Sequence, residues 1–550
     1  MHPYCWGLAA LSLVSPTLVS ASPLTSRAAS YIKHPDRLNG VKEAFQRSWD
    51  GYYKYAFPND SLKPISKSYD NDRNGWGASA VDAISTALVM ENKAVVQQIV
   101  DHIKTIDFTK TVKGGEEVSL FETTIRYLAG MVSAYDFLTG PFEGYVDKDS
   151  VQKILDQAVS LADALSVAFD TPSGVPINDL IFNGPNGPQT SNESTNGIAT
   201  IGTLILEWTR LSDLTGDDKY GKLALAGEKY LLQVKNPEVG EPYPGLIGTN
   251  VYVANGTFAD GRGGWNGGTD SFYEYLIKMY IYDSKRFAFF KDRWVAAIDS
   301  SIKYLTSHPK SRPEFTFLAA YNGRGKNQLN FASGHLACFD GGNFILGGLT
   351  LDRPDYINFG LKLVEGCHQT YISTATGIGP EGFRWQDSRL SVNATNNGPA
   401  PSNQAAFFAK NGYWITSSDY VLRPEVIESY YYAYRATGNP KYQDWAWDAF
   451  LNINRTCSAG VGFSAITDVN QPNGGQFYDS QESFWFAEVL KYSYLIQAGD
   501  APYQVNARHD NQWVFNTEAH PVRVAGPNTI PSPSPSPSST DPESESLGEL

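Results

Sequence analysis

Apolar residues recur every three or four positions along almost the whole chain, the period of helices that bury one face. Segments with this spacing begin near Asp36, Gly77, Asn92, Leu120, Lys148, Asn196, Asp218, Thr269, Lys285, Ser333, Arg353, Arg423, Pro440 and Ser480, which predicts about fourteen helices paired into seven hairpins. Three of them end alike, at Thr139-Gly140, Thr215-Gly216 and Thr437-Gly438, where a Gly stop precedes the next helix. A helical hairpin leaves one apolar face bare, so hairpins stack on one another. A closed ring of seven is an all-α toroid with alternate helices inside. The even-numbered helices are then the inner, mutually parallel set, and their first turns gather at one end.

The interruptions between hairpins are long and rich in Gly, Pro and Asn, notably Pro172 to Ser191, Pro237 to Gly268 and Thr374 to Asp419. Connections of that length shape sites more often than they merely join helices. After the last helix, Trp513-Val-Phe-Asn-Thr-Glu-Ala-His-Pro521 reads as a short strand and turn able to plug the ring, with Thr517 and Glu518 at its tip. The alternating Pro-Ser run from Pro531 to Pro537 and the acidic stretch after it cannot build a core, so 526–550 is expected to be a disordered tail.

At the other end, Trp6 to Val19 is apolar but too short to span a bilayer, and Val19-Ser-Ala21 offers small residues for cleavage. Residues 1–21 therefore read as a secretory signal, 22–35 as an extension, and 36–525 as one catalytic domain. No later segment reads as a membrane span. Sequons at Asn59, Asn192, Asn255, Asn393 and Asn454 agree with that route, to the outside or to a vesicle lumen. Cleavage removes Cys5 and leaves Cys338, Cys367 and Cys457, one bridge and one free thiol in an oxidising compartment. Cys338 to Cys367 is the favoured pair, because it joins neighbouring segments and closes a modest loop worth roughly 3 kcal/mol in the chain-entropy model.

A net charge of −14 with no Lys/Arg-rich run argues against nucleic acid and anionic membranes as partners and favours a neutral one. Aromatic residues make up 13% of the chain, and many flank acidic residues, as expected where sugar rings stack on flat apolar faces. Four of those acids open apolar, aromatic-rich helical segments: Glu122, Asp270, Glu425 and Glu482. Any one of them fits a helix dipole, and Ser119 with Glu122 fits a capping box. Together, with Arg126, Glu274, Glu428 and Glu488 adding charge to the same segments, they converge at one end of a toroid, which is the layout of a glycosidase site. His335 either donates to a hydroxyl there or satisfies a core carbonyl. Oxygen groups around Thr517 suit a hard cation such as Ca²⁺, although no EF-hand spacing is present.

From about Asp36 to Arg523 the chain resembles the class I α-1,2-mannosidases, glycoside hydrolase family 47, in their secreted fungal form. The residues that carry the resemblance are Phe-Glu-Thr-Thr-Ile-Arg at 121–126, Thr-Asp-Ser-Phe-Tyr-Glu-Tyr-Leu at 269–276, Ser-Gly-His-Leu at 333–336, Gly-Pro-Glu at 379–381, Leu-Arg-Pro-Glu at 422–425 and Asn-Thr-Glu-Ala-His-Pro at 516–521. The resemblance implies an (α/α)7 barrel closed by a C-terminal β-hairpin plug, a bound Ca²⁺, and inverting removal of terminal α-1,2-linked mannose from high-mannose N-glycans; a monomer is expected. It assigns Glu122, Asp270, Glu381 and Glu425 as catalytic carboxylates and Thr517 as metal ligand. Glu425 is the expected base, and the acid is Glu122, through a water, or else Asp270. Arg126, His335, Arg423, Glu428, Phe484, Glu488 and Glu518 are expected to bind sugar hydroxyls, the ring face or metal waters. Glu381 enters by resemblance alone. Gly268 stands where members that remove a single mannose carry Arg, so broader trimming is expected. Two other readings stay open: a mannose-binding lectin or glycoprotein quality-control factor on the same scaffold, and a toroid hydrolase of another polysaccharide.

Overall fold

The computed structural model describes residues 31–112, 117–183, 187–391, 394–507 and 510–526. The expected leader, most of the 22–35 extension, the Asn393 sequon and the tail from 527 onward lie outside the described residues.

Among the described residues fourteen principal helices form the body; eleven start within three residues of where the apolar period places them, and α6, α10 and α14 start later than expected. The outer, odd-numbered members are α1 (Pro35–Tyr55), α3 (Lys93–Ile103), α5 (Lys148–Leu165), α7 (Lys219–Leu232), α9 (Ala288–Ser300), α11 (Pro354–Ile372) and α13 (Lys441–Thr456). The inner members are α2 (Ala78–Val89), α4 (Leu120–Thr123 running on into Ala129–Leu138), α6 (Ile205–Thr215), α8 (Asp270–Tyr282), α10 (Phe339–Thr350), α12 (Glu425–Thr437) and α14 (Leu490–Leu495). Burial separates the two sets. In α2 and α10 every residue is buried, whereas α3 buries a stripe of Val95, Val96, Ile99, Val100 and Ile103. An outer helix needs one apolar face, and an inner one is covered all round. Each inner helix packs on the next, and α14 packs back on α2, so the ring closes.

Before α6 come a strand, Thr195–Gly197, and one short helical turn, Ile198–Gly202, and before α14 comes the π turn Trp485–Val489. At α10 a sheet intervenes. Ala332–Gly334 is a strand, not a helix start, and pairs with Gly382–Arg384, which pairs in turn with Trp414–Ser417. A single 3-10 turn, Leu336–Cys338, then leads into the helix. The expected Gly stops hold at Gly216 and Gly438, both left-handed, but Gly140 lacks a positive φ because Thr139 caps its helix. Small two- and three-stranded sheets in the connections are an addition to the all-α expectation.

The connections are asymmetric. Outer-to-inner links are long, among them 56–77, 233–269, 306–335, 373–424 and 457–484, and they crown the end where the inner helices begin. Inner-to-outer links such as 90–92, 216–218, 351–353 and 438–440 are minimal turns. After α14 the chain enters the barrel as the antiparallel pair Trp513–Phe515 and Pro521–Arg523, the expected plug. Cys338 and Cys367 are joined, tying the start of α10 to α11, and Cys457 is buried and free. Among the described residues no helix is long and apolar enough to cross a membrane.

Glu228 on α7 is wholly buried, and neither carboxylate oxygen has a partner. Burial alone raises its pKa well above the usual carboxylate value. The unfolded chain ionises this group near its ordinary pKa while the folded protein resists, so the ionisation-linked part of its cost is absent in acid and grows as pH rises toward the folded value. Glu228→Leu is expected to stabilise the protein by about 1–3 kcal/mol at pH 4, where the unpartnered neutral carboxyl still costs, and by more at pH 7. Thermal melts at the two pH values check this.

Candidate active site

The barrel axis holds a 360 Å³ cavity, open at the crowned end. Its wall carries the first-turn residues of α4 and α8, Glu122 and Asp270, and Glu425 at the head of α12. Arg126, Glu274, Arg423, Glu428, Phe484, Glu488, Thr517 and Glu518 complete it, with Gly267, Gly268, Leu336 and Phe339 on one side. The structure brings all of these side chains to one cavity. Three residues stand elsewhere. Glu482 precedes the last inner helix instead of opening it and does not line the cavity. Gln481 in front of it is bridged to Leu62, which keeps that segment extended. His335 and Glu381 sit behind the wall.

His335 is almost completely buried, with both ring nitrogens engaged: Nδ1 lies 2.7 Å from Glu425 Oε2, and Nε2 lies 2.7 Å from the Tyr371 hydroxyl. It orients Glu425 and has no nitrogen left for a sugar hydroxyl. Glu381 accepts from Arg423 Nε at 2.5 Å, so it positions the guanidinium that faces the cavity. The central sheet sets both. His335 N–H donates to Glu381 C=O at 3.2 Å, and a Cβ on Gly334 would fall 2.5 Å from that same oxygen, so the close approach requires Gly. Leu422, at φ +65°, turns the chain by a strained left-handed step just before Arg423-Pro424-Glu425.

Two π turns sharpen the cavity. Thr124–Leu128 carries Arg126 and Trp485–Val489 carries Glu488, and the added residue in each turn shifts the side-chain register of an otherwise α-helical segment. Arg126 pairs with Glu122 Oε2 at 2.8 Å and with Glu518 Oε2 at 2.9 Å. Phe484 presents its ring to both Arg126 and Arg423, 5.5 and 5.9 Å from the centroid.

Electrostatics divides the carboxylates. Burial pushes Glu425 upward, but the His335 contact and the Arg423 charge outweigh it and leave its pKa below the usual range. Burial also opposes ionisation of Glu122, and Arg126 and Arg73 overcome it, so Glu122 is held charged. Asp270 has no such counter-ion. Burial first, then the charges of Glu274 and Glu425, push it up to about 7. Glu428 and Glu488 are also raised, by burial and by neighbouring carboxylates.

Buried polar contacts that the sequence pattern did not single out hold the plug tip. Asn516 Nδ2 donates to Ile125 C=O and to Glu207 Oε1, both at 2.9 Å. Lys491 Nζ donates to Ala519 C=O at 2.6 Å, Lys278 Nζ to Asn516 C=O at 3.2 Å, and His520 Nε2 lies 3.2 Å from Asp82 Oδ1. Thr517 Oγ1 is thereby fixed 2.8 Å from Glu274 Oε2, to which it donates. Lone polar residues inside apolar helices, such as Asp82 within Ala78–Val89, were the available signal. Around Thr517 the donor set is entirely oxygen and rich in mutually repelling carboxylates, which fits a hard cation. Among the described residues no three His, Cys, Asp or Glu side chains form a direct metal cage. The fit is therefore one of few direct ligands with carboxylates acting through water.

A blind pocket walled by carboxylates whose surroundings push their pKa values apart, with a flat aromatic ring beside them, is the layout of a glycoside-hydrolysing site. The family model described as glycosyl hydrolase family 47 matches residues 44–524, and the chain belongs to that family. It is 54% identical over 520 residues to the mannosyl-oligosaccharide α-1,2-mannosidase 1B of Aspergillus oryzae, covering 94% of this chain and 98% of the other. To the mannosyl-oligosaccharide α-1,2-mannosidase of Penicillium citrinum it is 52% identical over 528 residues, covering 95% and 99%. The solved α-1,2-mannosidase from Trichoderma reesei superposes with a TM-score of 0.86 at 51% identity, covering 90% of this chain and 100% of that one.

Proposed function

We propose that this protein is a Ca²⁺-dependent, inverting exo-α-1,2-mannosidase that trims high-mannose N-glycans in the secretory pathway or after secretion. The observation that carries this reading is the closed floor: the plug with Thr517 and Glu518 ends the cavity, so only a chain terminus enters. Glu425, ionised and aligned by His335, takes a proton from a water on one face of the sugar. The leaving oxygen receives a proton on the other face, and Asp270 is the group that stores it in the free enzyme, since Glu122 is held ionised by Arg126 and Arg73. Phe484 offers its ring face to the sugar and Arg423 offers donors to its hydroxyls, while Arg126 holds Glu122 and Glu518 in place.

A Ca²⁺ held at Thr517 would supply positive charge that favours binding of sugar hydroxyls and offsets the carboxylate cluster. Thr517 would be its protein ligand, with Glu274, Glu428, Glu488 and Glu518 holding its waters. Chelation is expected to abolish turnover and to lower the melting temperature, and added calcium to restore both. A thoroughly chelated, metal-free sample that keeps its full rate would overturn the assignment.

Gly268 lines the mouth at φ +91°, and a Cβ there would meet only Thr249 Cγ2, at 3.8 Å. That open space supports access for several glycan branches. Incubation with a nine-mannose N-glycan should shorten it in steps of one hexose, read by mass. Release of di- or trisaccharides, or equal cleavage of α-1,6 linkages, would sink the proposal. Binding of the glycan without turnover would favour the lectin reading instead.

A further inference from the structure

The first and last outer helices, α1 and α13, meet where the ring closes, and between them runs a groove of 620 Å³ that the catalytic reading does not use. Its two walls differ in chemistry. From α1 come Asp36, Asn39, Glu43 and Arg47, spaced three and four apart and so on one face. From α13 come Trp447, Leu451 and Asn454, spaced likewise.

All four of these α1 side chains are exposed, and among the described residues Asp36, Asn39 and Glu43 make no ion pair or side-chain hydrogen bond. Arg47 closes one end by donating to Ser458 Oγ and to Gly460 C=O. Opposite, Trp447 is half-buried, stacked on Phe450 with centroids 5.3 Å apart and with the Arg37 guanidinium 5.8 Å from its own centroid, so part of the ring is already covered, and Leu451 beside it is 43% exposed. Gly40 lets Trp447 settle into the seam, since a Cβ there would come within 3.0 Å of the indole. Free acceptors facing an indole and a leucine are what a pyranose requires: hydroxyl and acetamido N–H groups toward the carboxylates, the apolar ring face toward the tryptophan.

Asn454, in the sequon Asn454-Arg455-Thr456, is itself part of the groove wall. It stands seven residues from Trp447, about 10 Å along a helix, within reach of the first sugars attached to its side chain. We propose that Asn454 carries an N-linked glycan whose two N-acetylglucosamine residues lie back along this groove against Trp447, clasping α1 to α13 across the closure of the barrel. The proposal rests on the sequon reading at Asn454 and is independent of the reaction assigned to the cavity.

The test uses the full chain secreted from a eukaryotic host. Site-resolved mass analysis reports occupancy at Asn454, and an endoglycosidase that cuts between the two N-acetylglucosamines is then applied to the native protein. Release from Asn454 is expected to be about tenfold slower in the wild type than in Trp447→Ala, because a docked core is cut only in its undocked fraction. If Trp447→Ala fails to fold, the exposed pair Asn39→Ala and Glu43→Ala on α1 gives the same comparison. An unmodified Asn454 overturns the proposal through the sequon. An occupied Asn454 released equally fast in wild type and variants leaves the sequon standing and overturns the docking.

Discussion

Glu425→Gln is expected to lower kcat by ~10²-fold or more while leaving KM nearly unchanged, because the amide keeps the shape and hydrogen-bonding reach of the carboxylate but cannot accept the proton of the attacking water. His335 makes the test specific. Its Nδ1 contact at 2.7 Å fixes one oxygen of Glu425, so the variant side chain stays in place and the loss reports chemistry, not displacement. Stereochemistry gives an independent reading. Water activated by Glu425 must attack opposite the leaving group, so anomer-resolved NMR at early times should show β-mannose before mutarotation. If α-mannose appears first, the mechanism is wrong even where the substrate is right.

Asp270→Asn is expected to cost a similar factor, ~10²-fold or more, and to change the pH profile as well. A group that must be protonated to act loses its function as pH rises through its pKa, which burial and the charges of Glu274 and Glu425 set at about 7 for Asp270. The wild-type profile of kcat/KM should therefore fall on the alkaline side near that pH, and the residual activity of Asp270→Asn should lack that limb. Glu122→Gln should be impaired yet keep it, since Glu122 is ionised well below neutrality by Arg126 and Arg73. Loss of the limb in Glu122→Gln and its survival in Asp270→Asn would exchange the two roles.

The barrel and three of its acids were legible because the features that reveal them are local. An apolar period marks a helix wherever it occurs, and Glu122, Asp270 and Glu425 each stand in the first turn of one. Glu482 has the same local look, yet Gln481 is drawn into a bridge with Leu62, more than four hundred positions away, and the helix starts late. Glu381 has no period to reveal it, since it precedes a short strand in a connection. His335 was seen as a candidate, but its role depended on Tyr371 and Glu425, which only the fold brings to its two nitrogens. The clamp on the plug was out of reach for the same reason: Asp82 and His520 are isolated polar residues in separate apolar surroundings until the ring closes.

The plug also has a consequence in time. Glu518 and Thr517 are synthesised after all fourteen helices, and nothing earlier in the described chain supplies the floor of the cavity or the partner that Arg126 finds in Glu518. A ribosome-bound or truncated chain ending before Trp513 can form most of the ring but not a working pocket. The protein is thus expected to stay silent during its own synthesis and to become active only once its final hairpin is in place.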